Sequence, residues 1–465
     1  MKELKKGILL SILSGVLISL CFEPFGLSFL CFVAYVPLLF AFHYQKSIWK
    51  LLLCAWITIF IQSLISFQWI HFVAREFGSL PWVVSFLVLV GFALFTNLFL
   101  HIFAVLYYFL RKKMNNTSVA LLYFLILPSA YVISEAVDPR IFNWYIGDAF
   151  SSYKYMMQFA DVFGVYGLSF LCFAVNTSIF LVLKKRTSTY FLPALMIPLF
   201  LFSYGWVRYH NVEEYQKTCP IINVGVVQAN IGNPVQLKIA EVLKFKKELG
   251  LDDAEYTSDS DLILKKYNLM TKQVLEQYPN IDIVVWPETA FPGYYVERNR
   301  KMKAHLDFVK ELGKPFFIGG YYYDPLEDGG RYYNSAILIS GDTDIQYYHK
   351  HVLLPFGEFM PLGSIFPKLK ELVPAVGDFG SGTGPMLLKS SVAGLEINFA
   401  PNICYEVLKP NYVRRTVMLG ANLIFNFTND SWFGSIEPYQ HLRLSVMRTV
   451  ENRRPMVRST NTGVT

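Results

Sequence analysis

The chain has 465 residues, 53% of them hydrophobic and 17% charged, with a net charge of +7. Its basic residues cluster between apolar segments and form no aromatic-interleaved stripe, which sets nucleic acid aside as a partner. Six cysteines without a framework of spacings exclude a disulfide scaffold, and no Cys or His spacing matches a zinc site.

Apolar segments dominate the first 207 residues. Seven candidate spans run at 7–22, 27–44, 50–71, 82–110, 118–137, 163–183 and 189–207, each near the ~20 residues that cross ~30 Å of hydrocarbon. The first has the lysine-led form of a signal peptide, but the immediate continuation into further spans predicts a retained helix. Lys2, Lys5 and Lys6, then Lys46 and Lys50, then Arg111, Lys112 and Lys113, then Lys184, Lys185 and Arg186 mark alternate connections. That alternation places the N-terminus in the cytoplasm and, after seven crossings, residues 208–465 outside, on the periplasmic face of a bacterial inner membrane. Gln62, Gln68, Asn97 and Asn176 are expected to hydrogen-bond between helices, and Glu135 to face headgroups or a cavity. Cys21, Cys31, Cys54 and Cys172 read as small packing residues.

Residues 208–465 have ordinary globular composition. β-Branched and aromatic runs at 221–228, 281–286, 316–320, 335–340, 345–349, 395–399 and 423–427 predict strands, and 262–277, 301–312 and 441–451 predict helices. The pattern is that of a layered α/β domain. Polar residues follow the strand ends: Glu288 after 281–286, Lys350 after 345–349, Cys404 beyond 395–399 and Asn429-Asp430 after 423–427. Strand carboxyl ends are where ligand sites form in α/β sheets, so these side chains are expected to converge.

Their chemistry is complementary. A thiol near pKa ~8.5 is mostly protonated at neutral pH. Glu288 can take its proton as a general base, and Lys350 with a backbone amide near Tyr405 can stabilise an oxyanion. His349 and His351 flank Lys350, and strand alternation points them away from it, leaving a Cys–His pair as the weaker alternative. A Cys219–Cys404 disulfide is the other alternative use of that thiol.

Glu288, Lys350 and Cys404 resemble the Glu-Lys-Cys triad of the nitrilase (carbon–nitrogen hydrolase) superfamily, and the surrounding segments resemble its membrane branch, the apolipoprotein N-acyltransferases. Trp286-Pro287-Glu288-Thr289-Ala290 is similar to the base motif. The run from His349 through Pro355-Phe356-Gly357-Glu358-Phe359-Met360-Pro361 is similar to the lysine motif, and Ile403-Cys404-Tyr405-Glu406 to the nucleophile motif. Asn429-Asp430-Ser431-Trp432-Phe433-Gly434 and Arg448 through Asn461-Thr462-Gly463 match further along. In the first half, Phe22-Glu23-Pro24-Phe25-Gly26 and Gln158-Phe159-Ala160-Asp161 with Gly164 also match. There are departures: Gln228-Ala229-Asn230 leads to Lys238-Ile239 where the family has Lys-Trp, and Pro438-Tyr439-Gln440-His441 has Tyr where Trp is common. The chain ends at Gly463-Val464-Thr465, where the family continues to a last transmembrane helix.

The resemblance implies a multi-span α-helical membrane domain at 1–207 and a nitrilase-like αββα sandwich at 208–465, the latter expected to lack the C-terminal helix. It also implies a two-step acyl transfer from a glycerophospholipid, through a Cys404 thioester, to the α-amine of a diacylglyceryl-cysteine on a lipoprotein. Glu358, Tyr405 and Glu406 would support the site, with the two glutamates orienting Lys350 and balancing charge. Trp432 and Tyr439 are candidate substrate contacts. Phe366 and Phe379, in the apolar loops 359–366 and 372–379, are candidate lids that admit lipid from the bilayer, sparing the ~0.8 kcal/mol per CH₂ of drawing a chain into water. No cofactor or metal is expected, and a monomer is, since one chain holds the whole triad. The rival readings are a membrane-tethered amidase or nitrilase and a non-catalytic membrane binding protein.

Overall fold

The structure, a computed structural model, describes residues 2–113, 118–232, 239–252, 258–295, 300–326, 330–340, 344–368 and 376–465. Lys238, and the loop 372–379 before residue 376, lie outside the described residues. Two compact units form: Met1–Cys219 with Tyr439–Arg453, and Pro220–Pro438 with Arg454–Thr465.

The first unit is helical: α1 (Lys2–Leu20), α2 (Val36–Tyr44), α3 (Ile48–Ser66), α4 (Trp69–Glu76), α5 (Trp82–Phe95), α6 (Phe99–Lys113), α7 (Leu127–Val137), α8 (Ala160–Lys185) and α9 (Leu192–Gln216). Among the described residues four stretches are long and apolar enough to cross a membrane, Ile48–Ser66, Trp82–Arg111, Met156–Lys185 and Ser188–Gln216, while Ser28–Tyr44 and Leu122–Val137 are shorter. The expected span at 50–71 stops at Ser66, and that at 82–110 is broken after Phe95. There Asp138 accepts from the backbone N–H groups of Leu98 and Phe99, each at 3.1 Å, capping the restarted helix. Gly7, Ser11, Ser14, Gly15 and Ser19 line the buried face of α1. This small-residue stripe lets α3 approach so closely that a Cβ on Gly15 would stand 2.6 Å from the Thr58 carbonyl. Asn176 bridges helices as expected, donating to the Cys31 carbonyl at 2.8 Å and accepting from the Tyr35 N–H at 2.8 Å. Glu135 is fully buried and faces no headgroup; it accepts from Tyr131 and from the Ile146 N–H.

The second unit holds two sheets. The first runs β1 (Val224–Val226), β2 (Ile283–Tyr295), β3 (Phe316–Asp324), β4 (Arg331–Ser340) and β5 (Asp344–His349), in that spatial order. The second runs β6 (Leu388–Val392), β7 (Leu395–Ile403), β8 (Leu423–Thr428) and β9 (Met456–Thr460). Parallel pairs β1–β2, β2–β3, β7–β8 and β8–β9 require crossovers. The helices on these crossovers include α10 (Ile239–Glu248), α11 (Asp259–Gln277) and α12 (Arg300–Leu312), then α13 (Pro410–Met418) and α14 (Glu437–Asn452). Residues 439–453 of α14 group with the membrane-type helices.

Strand alternation builds the layers. In β2, Ile283 and Val285 join Phe317, Leu338, Phe399, Phe425 and Phe427 between the sheets, whereas Val284 and Trp286 pack under α11 and α12 with Leu262, Tyr267 and Phe308. The result is an α/β sandwich of face-to-face sheets flanked by helices.

β2 extends well past residue 286, and its pairing with β3 slips twice between Trp286 and Tyr294. Glu288 therefore sits within an irregular strand, not after its end. The irregularity presses on Gly319 of β3, where a Cβ would fall 2.4 Å from the Pro287 carbonyl oxygen and 2.5 Å from the Glu288 Cα. Gly319→Ala is expected to cost about 1–3 kcal/mol by overpacking, read as a lowered thermal midpoint. An unchanged midpoint would show that the irregular strand shifts freely.

Candidate active site

Each proposed catalytic side chain is delivered by a strand or its end. β2 supplies Glu288, with Thr289 beside it in the left-handed region at φ 55°. Lys350 follows β5, its N–H extending the ladder to the Asn334 carbonyl at 2.8 Å. Cys404 follows β7 directly with φ 49°, opening a short 3-10 turn through Leu408. Such strained positions are held only when the surroundings over-determine them. Here the Glu406 side chain does so.

Glu406 lies fully buried, and its pKa is raised by that burial. One oxygen accepts from the Ile403 N–H at 2.8 Å. The other accepts from the N–H groups of His351 at 2.8 Å and Val352 at 3.1 Å, and from the Tyr348 hydroxyl at 2.6 Å. The expectation that Glu406 orients Lys350 by charge is thus refined: its bonds go to the backbone after the lysine and before the cysteine. Glu358 is the glutamate that pairs with the Lys350 ammonium, at 2.8 Å, while Glu288 lies 3.8 Å from it. Glu358 also accepts from the Leu354 N–H at 2.8 Å, which closes its turn.

Asn334, which the sequence reading missed, stands between the two acids. Its amide donates to Glu288 at 2.7 Å and to Glu358 at 2.9 Å. The other Glu288 oxygen accepts from the Asn429 N–H at 2.8 Å, and Asn461 donates to the Asn429 side chain at 3.2 Å. The one available signal for Asn334 was a lone amide heading an aliphatic strand.

Burial pushes the Glu288 carboxyl up to about 7, Lys350 pulling it back and Glu358 adding to the rise. Burial alone would lower the Lys350 ammonium, but Glu358, Glu288 and Cys404 together hold it above its ordinary value. Burial and the charge of Glu288 push the Cys404 thiol well up, against the pull of Lys350. These mutual effects place the three groups in one electrostatic cluster. A resting thiol in it is protonated.

The histidines are engaged elsewhere: His349 with the Ser335 hydroxyl at 2.7 Å and His351 with the Gly382 carbonyl at 2.6 Å. None of the six cysteines is in a disulfide, which removes the Cys219–Cys404 alternative. Tyr405 is buried, with the Lys409 ammonium 4.5 Å from its ring centre. Trp432 is half-buried in the turn Asp430–Phe433, and Tyr439 falls in the helical unit. Phe366 is exposed beside exposed Leu362 and Ile365, as a lid requires. Phe379 instead stacks on Tyr321 at 5.3 Å, with its N–H on the Glu358 carbonyl, so it packs against its own domain.

Apolar helices joined to an α/β sandwich with a buried acid–lysine–thiol cluster define a membrane-bound enzyme of the carbon–nitrogen hydrolase class. Residues 14–178 match the model of the apolipoprotein N-acyltransferase N-terminal domain, and residues 223–465 that of the carbon–nitrogen hydrolases. An apolipoprotein N-acyltransferase of Bdellovibrio bacteriovorus is 34% identical over 98% of this chain and 82% of its own length. Those of Geobacter metallireducens and Chlorobaculum tepidum are 30% and 26% identical, each over 99% of this chain and over 85% and 86% of their own lengths. The chain belongs to the apolipoprotein N-acyltransferase family.

Replacing Asn334 with Leu removes the donor shared by the two acids. The Glu288 pKa is then expected to rise further, moving the acidic limb of the acylation rate toward alkaline pH by about one unit. A limb that stays in place would show that Asn334 does not tune Glu288.

Proposed function

We propose that this protein transfers an acyl chain from a glycerophospholipid to the α-amine of a diacylglyceryl-cysteine at the N-terminus of an apolipoprotein, with Cys404 as nucleophile. The observation that carries this reading is the buried cluster itself. A cysteine at a left-handed strand end shares its charge environment with a carboxyl raised to about 7 and a lysine held cationic.

In the first step the Cys404 sulfur attacks the ester carbonyl while Glu288 accepts the thiol proton. The oxyanion is met by the Lys350 ammonium and by a backbone N–H of the turn at Tyr405. As the carbon–oxygen bond breaks, Glu288 returns the proton to the departing alkoxide, giving a lysophospholipid and a Cys404 thioester. In the second step the lipoprotein amine attacks the thioester and Glu288 takes its proton; as the carbon–sulfur bond breaks, Glu288 returns that proton to the sulfur, restoring the Cys404 thiol and leaving an amide. Glu358 keeps Lys350 in place, and Glu406 holds the nucleophile turn.

The same reading places the protein in a bacterial inner membrane as a monomer, with the N-terminus cytoplasmic and the catalytic unit on the periplasmic face. Its supports are the alternation of lysine-rich connections and the apolar helices. Phe366 is the proposed lipid-facing lid residue.

Intact mass spectrometry of the protein incubated with phospholipid tests the chemistry. A gain of one acyl chain is expected, absent in Cys404→Ala and discharged by a diacylglyceryl-cysteine peptide with N-acylation. An acyl group that only water discharges would establish a hydrolase instead. The pH dependence follows from Glu288, which must be ionised to accept the thiol proton. Single-turnover acylation is expected to fall about tenfold per unit as pH drops below about 7. In Glu288→Gln the rate should drop at least ~100-fold and lose that limb. A limb that persists in the variant would assign the base elsewhere.

A further inference from the structure

The helix that follows the Cys404 turn brings a second tyrosine to the Glu406 network. α13 buries Tyr412, Val413 and Thr416, and it grows directly out of the turn. The Lys409 N–H donates to the Glu406 carbonyl at 3.0 Å, and the Tyr412 N–H to the Lys409 carbonyl at 2.9 Å. The Tyr412 ring lies against the His351 imidazole, with ring centres 5.8 Å apart and planes within 13°. Its hydroxyl stands 2.7 Å from that of Tyr348, which in turn donates to Glu406 at 2.6 Å. Both tyrosines are buried.

Proton counting sets the direction of the contact between the two phenols. Each hydroxyl has a single proton to give. Burial and the charge of Glu406 hold both above their ordinary pKa, so neither ionises near neutral pH. Tyr348 gives its proton to the carboxylate, and the proton between the phenols therefore belongs to Tyr412. The N–H groups of Ile403, His351 and Val352 also donate to Glu406, fixed by the backbone. Among the described residues, the chain from Tyr412 through Tyr348 is the side-chain share of those bonds. A hydroxyl that accepts a hydrogen bond is polarised and donates a stronger one.

We propose that Tyr412 is a positioning residue for Cys404, acting through Tyr348 and Glu406. Its hydroxyl strengthens the Tyr348 bond to the carboxylate, and the carboxylate so held keeps the turn where the thiol feels Lys350. This role rests on the acyl-transfer reading for the reaction that Cys404 performs. The thiol itself titrates against Glu288 of β2, Lys350 after β5, and Asp430 and Glu437 beyond β8. A change of phenol to phenyl on α13 alters none of these.

Two measurements on the full chain test the role. Alkylation of Cys404 by iodoacetamide, followed against pH by peptide mass spectrometry, needs no acyl transfer; single-turnover acylation by phospholipid does. Tyr412→Phe keeps the ring against His351. It should move the alkylation midpoint about half a unit toward alkaline pH and slow acylation about threefold, at unchanged half-saturating phospholipid. Tyr348→Phe removes the bond to the carboxylate itself and should give about one unit and about tenfold. The double variant Y348F/Y412F should match Tyr348→Phe alone, because Tyr412 then has no route to Glu406. An alkylation midpoint that stays in place in Tyr412→Phe overturns the proposal, even with a lowered thermal midpoint, since the tyrosine would then only pack. Additive effects in the double variant overturn it too. Shifted alkylation in a chain that phospholipid does not acylate would sustain the positioning role and sink the acyl-transfer reading.

Discussion

A lone carboxylate in a protein interior costs several kcal/mol, and the second unit is organised around avoiding that outcome at Glu288. The carboxyl is 5% exposed, yet it has a lysine within 4 Å, an asparagine amide on one oxygen and a backbone N–H on the other. The compensation is deliberately incomplete. Lys350 sits closer to Glu358, so Glu288 keeps enough of the burial penalty to hold its proton loosely near neutral pH. Stronger pairing would make a permanent anion, and none would make a permanent acid; the intermediate setting is the one that the proposed proton transfers need.

The backbone carries matching costs. Thr289 and Cys404 are both left-handed, and the irregular stretch of β2 requires a glycine opposite it in β3. The rest of the sandwich is regular, with alternating inward and outward residues in long registers such as Phe316–Asp324 against Arg331–Ser340. Two of the left-handed residues of this unit thus flank Glu288 and open the turn after β7, while others, such as Leu362 and Ala393, lie in loops.

How far this was legible depends on whether the signal was local. Glu288, Lys350 and Cys404 stood out because each follows a β-branched run in a recognisable motif, and the main strands because their alternation is strong. β6, Leu388-Lys389-Ser390-Ser391-Val392, was missed because its apolar content is confined to its ends. β9 was missed because Arg458, Ser459 and Thr460 are polar residues buried by tertiary contacts alone. Asn334 and the division of work between Glu358 and Glu406 were invisible for the same reason: which carboxylate meets a lysine and which meets backbone is decided across strands. The helical half read well as apolar segments and poorly as helix boundaries, since the break after Phe95 and the kink at Gly164 arise from capping by Asp138 and by Glu451, whose carboxylate accepts from the Val165 N–H at 2.8 Å. Those caps lie far away in sequence.

The bonds of Glu406 have a geometric implication. One side chain grips the residue before Cys404 and the two residues after Lys350, which lie at the ends of strands of different sheets. The separation of thiol and ammonium is therefore set by this carboxylate together with the packing of the sheets. That carboxylate ties the stretch that follows β5 directly to the end of β7, a cross-sheet link made by one side chain.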